Sequence, residues 1–213
     1  MMENRTEILD EIEQKQDLSI KVAEKVINNP QLLPIILDGV SSKTSRVKFR
    51  SAKILKIISI KDPELLYPQF DFFVKLLDTK NKIIVWNALD ILANLSSIDS
   101  ENSFNDIFKK YYNFINDESM VSAAHVVDNS WKIVKSKPEY EDKITASLLG
   151  IENYSGDSEC KNILLGKVIL SFDKYYQEIE NKKEVSDLVK KQLDNPRNAT
   201  KVKAEKFLKK HHN

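Results

Sequence analysis

Glycine, proline and cysteine are scarce in this chain of 213 residues, which contains four glycines, six prolines and the single cysteine Cys160. One cysteine excludes an intramolecular disulfide and a disulfide-stapled secreted fold. Sheets joined by tight turns use more glycine than this, so the composition favours an all-α protein.

Long apolar runs and a large net charge are also lacking. No apolar stretch approaches the ~20 residues that a helix needs to cross a bilayer, so we expect a cytoplasmic protein without membrane contacts. The net charge of +1 argues against a chain whose main task is holding nucleic acid by its phosphates. The charge is unevenly placed, however, because residues 31–60 carry +5 and residues 182–213 carry +6.

A helical sequence pattern occurs twice, and its two copies are 37 positions apart. The first copy is built on Val47, Ser51, Ala52, Ile54, Leu55, Ile58 and Ser59, and the second on Ile84, Ala88, Leu89, Ile91, Leu92, Leu95 and Ser96. Asn29-Pro30 and Asp62-Pro63 precede the two copies, each followed by Leu-Leu two positions later. A repeat of this length made of two helical stretches is typical of an α-solenoid.

The rest of the chain continues the helical period. It predicts about twelve helices in roughly six hairpins, forming one domain over residues 1–213. We divide this domain into an N-terminal capping hairpin at 1–28, central repeats at 29–180 and a basic hairpin at 181–213. Within the cap, the pattern places Ile20 on the buried stripe of its helix and Val22 at the margin. In the second repeat, Pro68 predicts a break one turn after a helix start at Asp62-Pro63.

The pattern Val47-Lys48 followed by Ser51-Ala52 and Ile54-Leu55 resembles the second helix of a HEAT repeat. The resemblance covers residues 29–136 best, with Lys48 where arginine is usual and Val85 where the second copy would have a basic residue. It implies a right-handed α-α superhelix whose second helices line an inner, concave surface. HEAT-like arrays serve as scaffolds, adaptors, enzyme regulators and, in one branch, alkyl-base DNA glycosylases.

The polar faces of the predicted second helices are the candidate binding residues, since positions three or four apart share a helix face. We call them the polar strip, and to them we add Trp86, which lies at the edge of its helix's apolar face and either packs in the core or is half exposed as an anchor. Its members are Arg46, Arg50, Lys53, Trp86, Asn87, Asp90, Asn94, His125, Asp128, Asn129 and Lys132. The strip is either a groove for a peptide or protein segment or a set of ordinary solvated faces. Trp131, by contrast, falls on the core stripe of its helix.

Catalytic and metal-binding signals are missing. The sequence has no glycine-rich phosphate loop, no G-x-S-x-G and no H-E-x-x-H. His125 has no cysteine or carboxylate at metal-ligand spacing, and His211-His212 stand at the end of the chain, where we expect nothing to orient them. Cys160 beside Lys161 has either a lowered pKa or an ordinary packed position.

These observations predict a non-enzymatic scaffold or adaptor without cofactors, which binds another protein along the polar strip. The alternative is a nucleic-acid-binding protein related to the HEAT-like glycosylases, in which the basic C-terminal hairpin contacts phosphates. A DNA-holding array should be basic along its whole inner face, whereas Asp90 and Asp128 interrupt this one.

Overall fold

The structure is a computed structural model that describes residues 2–117 and 119–211, with side chains from Arg5 onward. The chain divides into two compact units, residues 1–104 and residues 105–213. The described residues form α-helices joined by short 3-10 turns and loops, and no strand occurs among them. None of the described helices is both long enough and apolar enough to span a bilayer.

Unit 1 contains three predicted hairpins. Its helices are α1 (Met2–Glu13), α2 (Ser19–Asn28), α3 (Leu33–Gly39), α4 (Ser45–Lys61), α5 (Pro63–Leu66), α6 (Phe70–Leu76) and α7 (Lys82–Leu95). Helix α4 packs against α2, α3 and α7. The second helices of the hairpins, α2, α4 and α7, thus pack on one another in chain order.

The 37-residue repeat is confirmed by burial. Every apolar position that the sequence aligned between the two copies is buried in both α4 and α7. The two small residues Ser51 and Ser59 of α4 are buried as well, with exposures of 0% and 1%. The repeated pattern is therefore the packed stripe of each second helix, where small residues allow neighbouring helices to approach.

The predicted break at Pro68 is also confirmed. Asp62 accepts a hydrogen bond at its side chain from the Leu65 amide, which starts the single turn α5. A 3-10 turn over Tyr67–Gln69 follows, and α6 begins only at Phe70. The proline ring cannot continue the α-helical ladder, so the first helix of this repeat is made of two short pieces.

The prediction of which residues of α2 are buried was wrong at two positions. Ile20 is 61% exposed, whereas Val22 is fully buried. Helix α2 begins at Ser19 and packs against both α1 and α4. Contact with two neighbours buries Val22, Ala23 and Val26 and turns Ile20 to solvent.

Unit 2 contains the remaining helices. They are α8 (Ser103–Asn113), which begins in the last two residues of unit 1, α9 (Met120–Ser136), α10 (Glu141–Leu149), α11 (Ser158–Tyr175), α12 (Lys182–Lys191) and α13 (Asn198–His211). Helix α11 packs against both α9 and α13, so the second helices of this unit also follow one another.

His211 is held in place, contrary to the sequence-based expectation. Its Nε2 lies 2.7 Å from Oδ1 of Asp173, one repeat earlier in the chain. The ring also packs on Tyr176 and Phe207, which leaves the side chain 7% exposed. The prediction failed because Asp173 and Tyr176 lie in α11 and in the turn after it, 35 or more positions upstream of His211. His212 lies outside the described residues.

Candidate functional site

The two arginines of the polar strip in α4 are bound to the end of helix α1. Arg46 Nη1 donates to the carbonyl oxygen of Glu13 at 2.6 Å. Arg50 Nη1 donates to the carbonyl oxygens of Ile12 at 2.6 Å and Gln14 at 2.5 Å. The last carbonyls of a helix have no partner within the helix, and these guanidinium groups supply one. Both arginines therefore join the second hairpin of unit 1 to its first hairpin.

Lys53, one turn further along α4, forms an ion pair with the loop before α2. Its Nζ lies 2.7 Å from Oδ2 of Asp17, and both side chains remain about half exposed. The hydrogen bond from Lys53, with two more from Ser19, holds the pKa of Asp17 well below its usual range. An exposed pair of this kind contributes about 0–1 kcal/mol, so Lys53 keeps most of its capacity to bind another anion.

Two strip residues of α7 are bonded to α4. The Asp90 carboxylate, with a side chain only 9% exposed, lies 2.7 Å from Lys56 Nζ. Asn94 Nδ2 donates to the hydroxyl of Ser59 at 2.9 Å. These side chains hold neighbouring second helices in register.

The start of α7 presents an accessible face made by two strip residues and Ile83. Ile83 is 41% exposed, and Trp86 and Asn87 are partly exposed. Asn87 Nδ2 donates to the carbonyl oxygen of Ile83 at 2.8 Å. An aliphatic side chain, an indole ring and an amide therefore share one accessible helix face. Trp86 is thus neither fully packed in the core nor fully exposed.

In unit 2 the strip residues lie on α9. Asp128 is paired with Lys167 of α11 at 2.5 Å, while His125 and Lys132 are partly exposed. Asn129 is 4% exposed and donates to the carbonyl oxygen of His125, so it belongs to the packed side of α9.

Trp131 is only partly buried, which corrects its prediction as a core residue. The ammonium group of Lys174 lies 4.6 Å from the centre of its ring. Such a cation–π contact contributes about 0.5–1 kcal/mol at an exposed site. The indole ring thus lies at the edge of the core around α9, where Lys174 of α11 covers one face of the ring.

Sequence reasoning missed the partners that hold the strip in place, above all Lys56 and Lys167. A usable signal exists, because opposite charges stand about one repeat apart throughout the chain. Lys53 and Asp17 are 36 positions apart, Lys61 and Glu24 are 37, and Lys210 and Asp173 are 37. In a stacked array, residues one repeat apart lie on neighbouring helices, so charge complementarity at the repeat spacing predicts ion pairs between repeats.

No chemistry-bearing constellation stands out among the side chains of residues 5–117 and 119–211. They contain no group of three histidine, cysteine or carboxylate side chains placed to hold a metal ion. Cys160 is partly exposed in the first turn of α11, where Asp157 caps the helix by accepting from the Glu159 and Cys160 amides.

Comparison with known proteins supports the fold alone. No family model matches the chain, and no curated protein sequence matches it. Among solved structures it is similar to the designed armadillo repeat protein YIII(Dq)4CqI, with a TM-score of 0.59, 14% identity and coverage of 95% of this chain and 98% of that one.

Two further structures are equally similar. The designed armadillo repeat protein YIII(Dq.V1)4CPAF, solved in complex with the peptide (KR)4, has a TM-score of 0.59, 13% identity and coverage of 98% and 91%. An engineered protein from a structural genomics consortium has a TM-score of 0.58, 13% identity and coverage of 97% and 95%. With helices throughout its described residues and these neighbours, the chain has the fold of a HEAT/armadillo-like helical repeat, an all-α solenoid.

Proposed function

We propose that this protein is a non-enzymatic interaction scaffold that binds an extended segment of a partner protein along its second helices. The observation that carries the proposal is the accessible face at the start of α7, where Ile83, Trp86 and Asn87 lie together. A partly exposed indole beside an aliphatic side chain is the type of anchor that dominates binding energy at protein interfaces. The amide of Asn87 adds a group able to pair with a peptide backbone.

The surroundings of this face support the proposal. Lys56–Asp90 and Asn94–Ser59 fix α7 against α4, so the binding surface is rigid before a partner arrives. A preorganised surface loses less conformational entropy on binding than a mobile one. In unit 2, the Asp128–Lys167 pair performs the same role between α9 and α11.

The fold supports a peptide as the ligand. One structural neighbour is a designed armadillo repeat protein solved with a bound peptide. Peptide binding is a property of that protein, and the shared arrangement of helices is the reason to propose it here.

The charges of the strip favour a protein over a nucleic acid. Arg46 and Arg50 of α4 are bound to backbone carbonyls, and Asp90 and Asp128 place negative charge on α7 and α9. Binding to a phosphate backbone requires uncompensated cations along the whole contact. The strip instead offers mixed charge around an apolar anchor.

Affinity capture tests the proposal. The full chain and the variant Trp86→Ala/Asn87→Ala would be used to capture partners from source-cell lysate, followed by affinity measurement with the identified partner. We expect the variant to bind at least about tenfold more weakly, in line with removal of an interface anchor. The matched control is Asp71→Ala/Lys75→Ala, two exposed residues of the first-helix segment α6. Equal affinity of the chain and the Trp86 variant, with both folded by circular dichroism, would refute the proposed surface.

A further inference from the structure

A groove in unit 2 lies between α11 and α13, apart from the polar strip. Its volume is about 300 Å³. Ile169, Leu170, Val202 and Phe207 form a mostly apolar floor. Leu170 is 44% exposed, although its neighbours along α11 are buried. The groove therefore presents an aliphatic surface large enough to hold one apolar side chain of a ligand.

Three lysines surround this floor. Lys203, Lys206 and Lys210 of α13 line the groove, together with Asp173 of α11. The carboxylate of Asp173 is already neutralised, since Lys210 donates to it at 2.9 Å and His211 lies 2.7 Å from it. Within the described part of the chain, Lys203 and Lys206 have neither a hydrogen bond nor an ion pair. The rim thus carries two cations available to a ligand.

Lys203 is held close to the backbone of α11. A Cβ at Gly166 would lie 3.2 Å from the Lys203 ammonium nitrogen and 2.6 Å from the Thr200 hydroxyl oxygen, so α13 approaches α11 closely here. Burial lowers the pKa of Lys203, and the positive charges of Lys167 and Arg197 lower it further, against a smaller opposite effect of Asp128. A carboxylate placed beside Lys203 would offset these effects and stabilise the charged form of the lysine.

We propose that the groove between α11 and α13 binds an acidic peptide segment, with an apolar side chain of the peptide on Leu170 and its carboxylates on Lys203 and Lys206. The proposal follows from charge complementarity between the unpaired lysines and an acidic ligand around an apolar floor. It rests on the proposed function in that the ligand is a protein segment, and it adds the chemistry of that segment. It also places the contact on residues outside the polar strip.

A nucleic acid fits the groove less well. Single strands bind where exposed aromatic rings offer stacking surfaces beside a basic track. Phe207, the aromatic residue of the floor, is 2% exposed, and its ring packs on Tyr176 and His211. The floor instead suits an aliphatic or aromatic side chain that enters from a peptide.

The experiment is selection of random nonapeptides displayed on phage against the immobilised full chain, followed by fluorescence polarisation with the most enriched peptide. We expect the selected peptides to combine several acidic residues with one large apolar residue. Lys203→Glu/Lys206→Glu should weaken binding at least about tenfold, because the rim then repels the acidic peptide. Leu170→Asp should weaken it similarly without affecting the fold, since Leu170 is exposed.

The matched control is Lys201→Glu/Lys209→Glu, which makes the same charge change on exposed residues of α13 outside the groove. This variant should bind within about twofold of the unmodified chain. Basic or uncharged selected peptides, no enrichment over a bare surface, or equal losses in the control and groove variants would each overturn the proposal. So would a labelled thymidine 20-mer that binds as tightly as the peptide and depends on Lys203 and Lys206. Peptides whose binding depends on Trp86 but not on Lys203 would overturn this inference and leave the proposed function standing.

Discussion

Arg50 donates a hydrogen bond from Nη1 to the carbonyl oxygen of Ile12 at 2.6 Å, across 38 positions of sequence. The same nitrogen reaches the carbonyl of Gln14, and Nη2 reaches that of Lys15 at 3.3 Å. A residue that the charge pattern marked as a binding group thus caps the end of α1. Any partner that uses Arg50 would compete with these carbonyls.

Arg50→Ala should accordingly destabilise unit 1. Hydrogen bonds to a charged group contribute roughly 1.5–3 kcal/mol, and partial exposure reduces this, so we expect a loss of about 1–2 kcal/mol. The measurement is urea unfolding followed by Trp86 fluorescence in a Trp131→Phe background, which reports on unit 1. Lys43→Ala is the control, since Lys43 is an exposed cation of the preceding loop. Equal stability of the two variants would contradict the capping role.

Gly39 and Ser51 are packed too closely for any larger residue at position 39. A Cβ on Gly39 would lie 2.2 Å from the Ser51 hydroxyl oxygen, and Ser51 is fully buried. Gly39→Ala should therefore cost about 1–3 kcal/mol through overpacking.

The double variant Gly39→Ala/Ser51→Ala supplies the test of this contact. The Ser51 hydroxyl has no hydrogen-bond partner among the described residues, so Ser51→Ala alone should change stability little. In the double variant, Ser51→Ala should recover part of the stability that Gly39→Ala removes. A double-mutant cycle based on thermal unfolding measures this coupling. Strictly additive effects would show that the clash is not the cause.

The Lys56–Asp90 pair predicts an asymmetry between its two partners. The Asp90 side chain is 9% exposed and that of Lys56 is 39% exposed. Lys56→Met removes the cation beside a buried carboxylate and should cost about 1–3 kcal/mol, whereas Asp90→Asn keeps a polar group of the same shape and should cost less. Chemical denaturation of the two single variants compares them. The opposite order would mean that Lys56 does not neutralise Asp90.

The Asp17–Lys53 pair predicts a small loss of stability in acid. The folded-state pKa of Asp17 is lowered, chiefly by the Lys53 hydrogen bond, while the unfolded value is about 3.9. The contribution is complete above the unfolded value, and it is lost as the pH falls through the lowered folded value, because the unfolded chain takes up the proton first. Asp17→Asn should therefore be less stable than the unmodified chain at pH 6 and approach it at pH 2. A gap that widens below pH 4 would contradict the assignment.

The sequence predicts the helical periods well because they depend on local spacing. The Val47 and Ile84 copies and the Pro68 break were predicted from spacing and turn chemistry. Rotation of a helix about its axis is set by its neighbours, so Ile20 and Val22 exchanged their predicted places.

The candidate site was less predictable because its geometry depends on contacts between repeats. Spacing along α4 places Arg46 and Arg50 on a polar face, but it does not reveal that α1 ends beside them. The close approach of α13 to α11 is a second example, since a Cβ at Gly166 would lie 2.6 Å from the Thr200 hydroxyl oxygen. Opposite charges one repeat apart are the sequence signal that best predicts such contacts between repeats.

Hydrogen–deuterium exchange of the full chain, with and without the partner segment identified by affinity capture, tests the central proposal most directly. Binding along the second helices predicts that the partner slows exchange in α4 and α7, with the largest change at the start of α7. Slowed exchange confined to first-helix segments such as α3, α6 and α10 would contradict it.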